Sequence, residues 1–389
     1  MHHVCSTWLS SAGASLARCS IPSTRAPRPP IAFVGHTRNL HRYHTESYTL
    51  QARQLDSPSL FTKRAFLAPA RHACSFGRYT TLAMTKQSTT GLAVPKEGRQ
   101  VVLVKNETPV PCTQTSGDFL SSAPRGAYTT GRTVDRNAIF EFEFHVQRLV
   151  TSVKLMLEAD GKSVPTNLLP VVEITTLRPQ ILASLRAAMR DYTAPGEIKL
   201  TVLITWDDEG GYDIYSHLVP LPALPRSPVK VMVKGAPRNN PAAKDTDWVR
   251  ARKGLEDEKP ADVNEIVLAA EGVHLFEGLS SNFYAVTKSG TVVTAGEGIL
   301  AGTVRELLLR VCEKEGIPVL LEPPSLLDVG TWEGAMVSST SRLATPIDKF
   351  LYSTEQGTQE VNFNDGPLTH RIAALVQDAI KADSTVVFE

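Results

Sequence analysis

Three prolines fall within the eight residues LPALPRSP at 221–228. Proline fixes φ, donates no backbone N–H and drives the residue before it towards extended conformations, so this stretch continues neither a helix nor a central strand. The 389-residue chain is therefore expected to fold as two segments on either side of an extended connection. Strand-like and helix-like patterns on both sides place it in the α+β class. The expected division is a small domain over 93–222, a linker with an opening strand over 223–240, and a larger domain over 241–389.

In the first segment VVLVK at 101–105 is β-rich, and 127–133 and 138–142 flank a polar Asp135-Arg136-Asn137 turn as a hairpin. Val146, Leu149, Val150, Val153 and Leu157 then recur at helical spacing and predict one buried helix face. A second helix is predicted over 178–191, with Thr176 as N-cap and Pro179 in its first turn. Strands follow over 198–206 and 212–221. Beyond the linker VKVMVKG, EIVLAAEG, NFYAVTKSG and TVVTA read as strands, TVRELLLRVCEKEG at 303–316 as a helix closed by Gly316, and 367–382 as a last helix opened by Gly366-Pro367.

Residues 1–84 are a different material, with ten Lys+Arg, nine of them Arg, against two acids, Glu46 and Asp56. An Arg-, Ser- and Ala-rich, acid-poor segment without a continuous apolar stretch has the make-up of an organellar transit peptide. Its low Lys content suits a plastid somewhat better than a mitochondrion, and an internal start at Met84 would leave a cytosolic form. The rest of the chain holds 31 of the 41 basic and 38 of the 40 acidic residues, a net charge of −7. Binding to nucleic acid needs surplus Lys and Arg, so no such partner is expected. No run approaches the ~20 apolar residues that span a bilayer, and no membrane partner is expected either. Only Cys112 and Cys312 lie beyond the front segment, too few for a disulfide framework or a cysteine-based metal site.

Standard phosphate-loop, zinc-protease and nucleophile-elbow motifs are absent. What remains is EGLSSNFYAV at 277–286, where an acid, two hydroxyls and an amide precede a strand, and GILAGTV, which exposes the backbone N–H groups of Thr303 and Val304 at a helix N-terminus. Taken alone, that end suits bound water as well as an anion; Arg148 would supply a second anion contact.

Six segments in order carry a resemblance. GAYTTGRT at 126–133, FHVQRL at 144–149, AKDTDWVRARKGLE at 243–256, EGLSSNF at 277–283, ILAGTVRELL at 299–308 and VSSTSRLATPI at 337–347 resemble the fold type IV pyridoxal-phosphate enzymes, the class IV aminotransferase family. That family includes branched-chain aminotransferases, D-amino acid transaminases and aminodeoxychorismate lyase. The resemblance spans about residues 120–350. It implies a small N-terminal α/β domain, a larger C-terminal α/β pseudo-barrel domain, pyridoxal 5'-phosphate as cofactor and a homodimer.

Residue by residue, the resemblance implies that Lys244 carries the cofactor as a Schiff base and then moves the proton. Lys244 precedes Glu277 by 33 residues, a spacing typical of the family, and Lys253 is the next candidate. Glu277 matches the acid that meets the pyridine nitrogen, and Arg148 the phosphate-binding arginine. Thr303, Val304, Ser339 and Thr340 fall where further cofactor contacts lie. Tyr128 matches an active-site tyrosine, and Arg238, six residues before Lys244, is a candidate partner for a substrate carboxylate. Leu279 stands where many relatives have a small residue, and Thr303-Val304 reverses a common Val-Thr order. The arginine–x–histidine pattern of D-amino acid transaminases is missing.

The implied activity is transamination between a small or branched-chain amino acid and a 2-oxo acid, with 2-oxoglutarate as the expected acceptor. Aminodeoxychorismate lyase activity, giving 4-aminobenzoate, is the alternative, and a non-catalytic pyridoxal-phosphate-binding protein is the second.

Overall fold

A computed structural model describes residues 100–363 and 366–388. The Arg-rich segment 1–84, expected to be an organellar address, lies outside the described residues.

The first half contributes strands β1 (Val102–Lys105), β2 (Thr108–Val110), β3 (Gly126–Val134), β4 (Ala138–Phe140), β5 (Ile198–Trp206) and β6 (Tyr212–Pro220). Its helices are α1 (Ser116–Ser122), α2 (Phe142–Ala159), α3 (Leu169–Val172) and α4 (Ile174–Asp191). The second half adds β7 (Lys230–Val233), α5 (Thr246–Ala251), α6 (Lys253–Asp257), β8 (Glu265–Ala270), β9 (His274–Gly278), β10 (Asn282–Thr287) and β11 (Val292–Val293). It continues with α7 (Thr303–Lys314), β12 (Val319–Leu320), β13 (Trp332–Ser339), β14 (Leu343–Pro346), β15 (Lys349–Thr354), β16 (Gly357–Asn362), α8 (Pro367–Ala379) and β17 (Ser384–Val386).

These strands make two sheets. The first is antiparallel and runs β17-β4-β3-β5-β6-β1-β2. The second runs β12-β11-β10-β9-β8-β7-β15-β16, with β13 joined to β10 and β14 to β13. The proline-rich stretch 221–229 carries neither helix nor strand and joins β6 of the first sheet to β7 of the second. All described residues fall within one compact unit.

The apolar stripe on α2 packs as its spacing predicts: Val146, Leu149, Val150, Val153 and Leu157 are all buried against Leu177, Ile181 and Leu185 of α4 and the strands beneath. In the second sheet β10 is covered on both faces. Tyr284 and Val286 join the α7 and α8 side chains Leu307, Leu308, Ile372 and Val376, whereas Phe283 and Ala285 join Trp332 and Phe350. Two buried faces explain why NFYAV reads as a continuous apolar run instead of an alternating one. Cys312 is buried with the apolar side chains of α7.

One local expectation is corrected, and one strand is new. The second helix begins at Ile174, after Glu173, and Thr176 lies inside it. The Thr176 hydroxyl donates to the carbonyls of Pro170 and Glu173, a use of a short polar side chain that imitates capping from within the first turn. The last strand, β17, leaves the second half and pairs antiparallel with β4 of the first sheet.

Candidate active site

A cleft of about 190 Å³ opens between the two sheets, lined from the first by Tyr128, Arg148 and Lys199 and from the second by Glu277, Thr303 and Ser339. Arg238, Lys244, Val304 and Thr340 line it as well, so all nine residues singled out from the sequence meet in one place.

Lys244 lies in the connection between β7 and α5 and is clamped by its backbone. Its N–H donates to Ser152 Oγ of α2 at 3.0 Å, and its carbonyl accepts the Tyr128 N–H of β3 at 2.9 Å. Nζ stands 4.7 Å from the centroid of the Tyr128 ring. Loss of hydration pushes the amine well below the ordinary lysine range, and the neighbouring Arg148, Arg238 and Arg252 charges push it further; Glu277 opposes them. The amine is therefore held towards its neutral form, the form that acts as a nucleophile.

Glu277 ends β9. Its Oε1 pairs with Arg238 Nε at 2.7 Å and its Oε2 accepts the Leu300 N–H at 3.0 Å. Both side chains are nearly inaccessible, Arg238 at 5% and Glu277 at 6%. Arg238 also donates to the carbonyls of Ala243 and Pro241 and lies over the Trp248 ring, its centre 5.7 Å from the centroid. Expected from the sequence to meet a substrate carboxylate, Arg238 is instead committed to Glu277 and to the segment that ends in Lys244.

At the other end of the cleft α7 begins after Gly302, with no side-chain cap. Its first N–H groups, including those of Thr303 and Val304, have no partner within the helix and concentrate positive potential there. Thr303 Oγ1 lies 2.9 Å from Thr340 Oγ1 in the turn after β13. Arg148, one-tenth exposed or less, donates to Thr129 Oγ1 from Nε at 3.2 Å and from Nη2 at 2.6 Å. Burial pulls its guanidinium down to about 10, so it stays charged at neutral pH.

Glycine is required at the helix entry by contact and not by φ. A Cβ on Gly302 would overlap Asn282 Oδ1, and Asn282 Nδ2 holds the Leu300 carbonyl at 2.7 Å. Gly302→Ala is expected to push Asn282 aside, loosen the loop that presents Leu300 to Glu277 and destabilise the fold by about 1–3 kcal/mol. Denaturant unfolding measures that loss; unchanged stability would show that the loop adapts freely.

Sequence reasoning missed Lys199, Arg252 and Trp248, which also line the cleft. Lys199 projects from β5, and burial lowers its amine, followed by the Arg252 and Arg342 charges. Among the described residues the lining carries five basic side chains, Arg148, Lys199, Arg238, Lys244 and Arg252, and one acidic, Glu277. Such a cleft suits a ligand with several negative charges. Behind it, Glu265 accepts from Ser280, Ser281 and Arg342, tying the turn after β9 to the turn after β13.

A family model described as amino-transferase class IV matches residues 126–350. A protein of Methanocaldococcus jannaschii, provisionally named a branched-chain-amino-acid aminotransferase, is 27% identical over 110 residues, which are 28% of this chain and 38% of that relative's length. Among solved structures, a branched-chain aminotransferase from the archaeon Thermoproteus uzoniensis, determined with norvaline, is similar at a TM-score of 0.57 and 18% identity, covering 74% of this chain and 99% of that one. A hypothetical aminotransferase from Mycobacterium tuberculosis in its PLP-bound form is similar at 0.56 and 18%, covering 72% and 99%. At these identities the solved structures establish a shared fold.

Proposed function

Since the chain belongs to the class IV aminotransferases, we propose that it moves an amino group between a small or branched-chain amino acid and a 2-oxo acid, with pyridoxal phosphate anchored covalently on Lys244. The observation that carries this reading is the convergence of the Lys244 amine with Glu277, Arg148 and the open end of α7 in one cleft, where loss of hydration pushes that amine towards its neutral form.

The donor set fits that cofactor. Arg148, the first N–H groups of α7 and the Thr340 hydroxyl suit a phosphate, Lys244 suits an aldehyde, and Glu277 suits a protonated ring nitrogen. When bound, the cofactor supplies the aldehyde and a ring that takes up electron density from the substrate's Cα. The protein does the rest. Lys244, neutral when freed, accepts the Cα proton at Nζ and returns it on the product side. Glu277, fixed by Arg238 and the Leu300 N–H, holds a proton at the ring nitrogen. Lys199 and Arg252 offer positive charge to the carboxylates of an amino acid donor and of a dicarboxylic acceptor such as 2-oxoglutarate.

A screen of amino donors tests the reading, following bound cofactor as it passes from its pyridoxal to its pyridoxamine form. Conversion by branched-chain or other small amino acids, reversed by 2-oxoglutarate, is the expected result. Pyruvate and 4-aminobenzoate released from aminodeoxychorismate would instead identify a lyase. Cofactor that responds to no donor would identify a binding protein.

Arg148→Ala is expected to weaken cofactor retention roughly ten- to a hundredfold, the worth of a charge-assisted contact, without removing the chemical step. Equilibrium dialysis of the cofactor measures it, and an unchanged dissociation constant would exclude Arg148 from the phosphate site. The same reading makes a homodimer the working assembly; a fully active monomer in sedimentation would contradict it. For residues 1–84 the composition supports an organellar address, plastid before mitochondrion. A fluorescent fusion of the segment that stays cytosolic would exclude that.

A further inference from the structure

His145 stands one helical turn before Arg148 on α2 and takes no part in the chemistry above. It is buried, and its Nδ1 lies 3.0 Å from Arg148 Nη2 and 2.8 Å from Thr129 Oγ1. A guanidinium only donates, so Nδ1 must accept and carries no proton; the ring proton then sits on Nε2. Thr129 Oγ1 accepts from Arg148 Nε and Nη2 and turns its own hydrogen towards Nδ1. Thr129 Oγ1 thus accepts twice, and the single lone pair of Nδ1 is shared between the Thr129 hydroxyl and Arg148 Nη2, which closes a ring of hydrogen bonds among the three side chains.

The other side of the imidazole is poorly served. Nε2 is buried without a hydrogen-bond partner, beside a void of about 20 Å³ lined by Ile139, Phe142, Leu149 and Ile181. Loss of hydration and the nearby Arg148 charge hold the ring well below the ordinary histidine range; the Phe140 carbonyl opposes them weakly, without reaching hydrogen-bond geometry at Nε2. An apolar side chain would fill this position with no unsatisfied donor, so packing alone does not account for a histidine.

We propose that His145 is a positioning residue for Arg148: as the neutral Nε2–H form it accepts from Nη2 and, with Thr129, fixes the guanidinium so that its remaining N–H groups address the phosphate end of the cleft. Among the described residues no hydrogen bond engages Arg148 Nη1, and Arg148 lines the cleft. The Phe144 ring, its centroid 5.7 Å from the guanidinium carbon, flanks the same group. The proposal rests on the reading of this cleft as a pyridoxal-phosphate site.

Pyridoxal-phosphate titrations of His145→Leu, His145→Asn, Arg148→Ala and the Leu/Ala double variant test it. His145→Leu is expected to raise the dissociation constant about tenfold, the lower end of what one charge-assisted hydrogen bond contributes. His145→Asn, which can place an amide oxygen where Nδ1 stood, should recover most of that affinity. The melting temperature of cofactor-free His145→Leu should stay close to that of wild type, since removal of the unsatisfied Nε2 donor offsets loss of the acceptor at Nδ1. In the Arg148→Ala background the leucine should have no further effect.

Wild-type affinity in His145→Leu, an equal loss in both backgrounds, or an asparagine variant no better than leucine would overturn the proposal and leave the cofactor reading standing. A wild-type chain that takes up no pyridoxal phosphate would overturn the reading and this proposal together.

Discussion

Lys244→Ala is expected to abolish turnover, a loss of at least about 10³–10⁴-fold, while the protein stays folded. In the proposed reading one amine serves as covalent anchor and as proton carrier, so its removal takes both, and no neighbour stands ready to replace it. Lys199 lines the same cleft but sits on β5, and Lys253 lies exposed on α6, paired with Asp257. Folding should not suffer. In the unfolded chain Lys244 binds a proton up to its ordinary value of 10.5, whereas in the folded protein it does so only well below that. Between those limits the unfolded state holds the extra proton, so this group makes cofactor-free stability rise with pH. Lys244→Met, which keeps the stem and removes the charge, should therefore be more stable than wild type at neutral pH, by a margin that shrinks as pH approaches 10.5. Chemical unfolding across that range measures it, and a neutral-pH loss of stability in Lys244→Met would contradict an amine pushed down by loss of hydration.

Glu277→Gln should lower kcat on the order of 10²–10³-fold, in line with removal of one preorganised electrostatic contact. The amide keeps the size of the side chain but cannot balance positive charge at a ring nitrogen. It also leaves Arg238 without its counter-charge at a place where both side chains are almost wholly buried. Breaking such a pair from one side destabilises by about 3–5 kcal/mol. Both losses should appear together: slower turnover at saturating substrate and a lower unfolding midpoint. If Glu277→Gln turns over at the wild-type rate, the carboxylate does not meet the ring.

The residues that line the cleft were legible because each sits in a short segment whose residue types are unusual together: a lysine before Asp-Thr-Asp-Trp, an acid before a Ser-Ser-Asn turn, an arginine three residues after a histidine. Lys199 was not. On a strand it alternates with buried Ile198 and Leu200 and so resembles an ordinary solvent-facing residue; only the second sheet lying opposite turns its position into cleft lining. Arg238 was visible as a cation near Lys244, but its partner lies 39 residues on, and nothing local distinguishes a guanidinium locked to Glu277 from one free for substrate. The early start of α4 was hidden by Thr176, which has the residue type of a cap and bonds backward inside the helix. Strand β17 was hidden by distance, since three residues near the chain's end pair with Ala138–Phe140.

The most direct measurement is borohydride reduction of the cofactor-loaded protein followed by peptide mass spectrometry. The account predicts a single stable pyridoxyl adduct on Lys244. An adduct on Lys199 or Lys253, or no adduct on a protein that has taken up the cofactor, would contradict it.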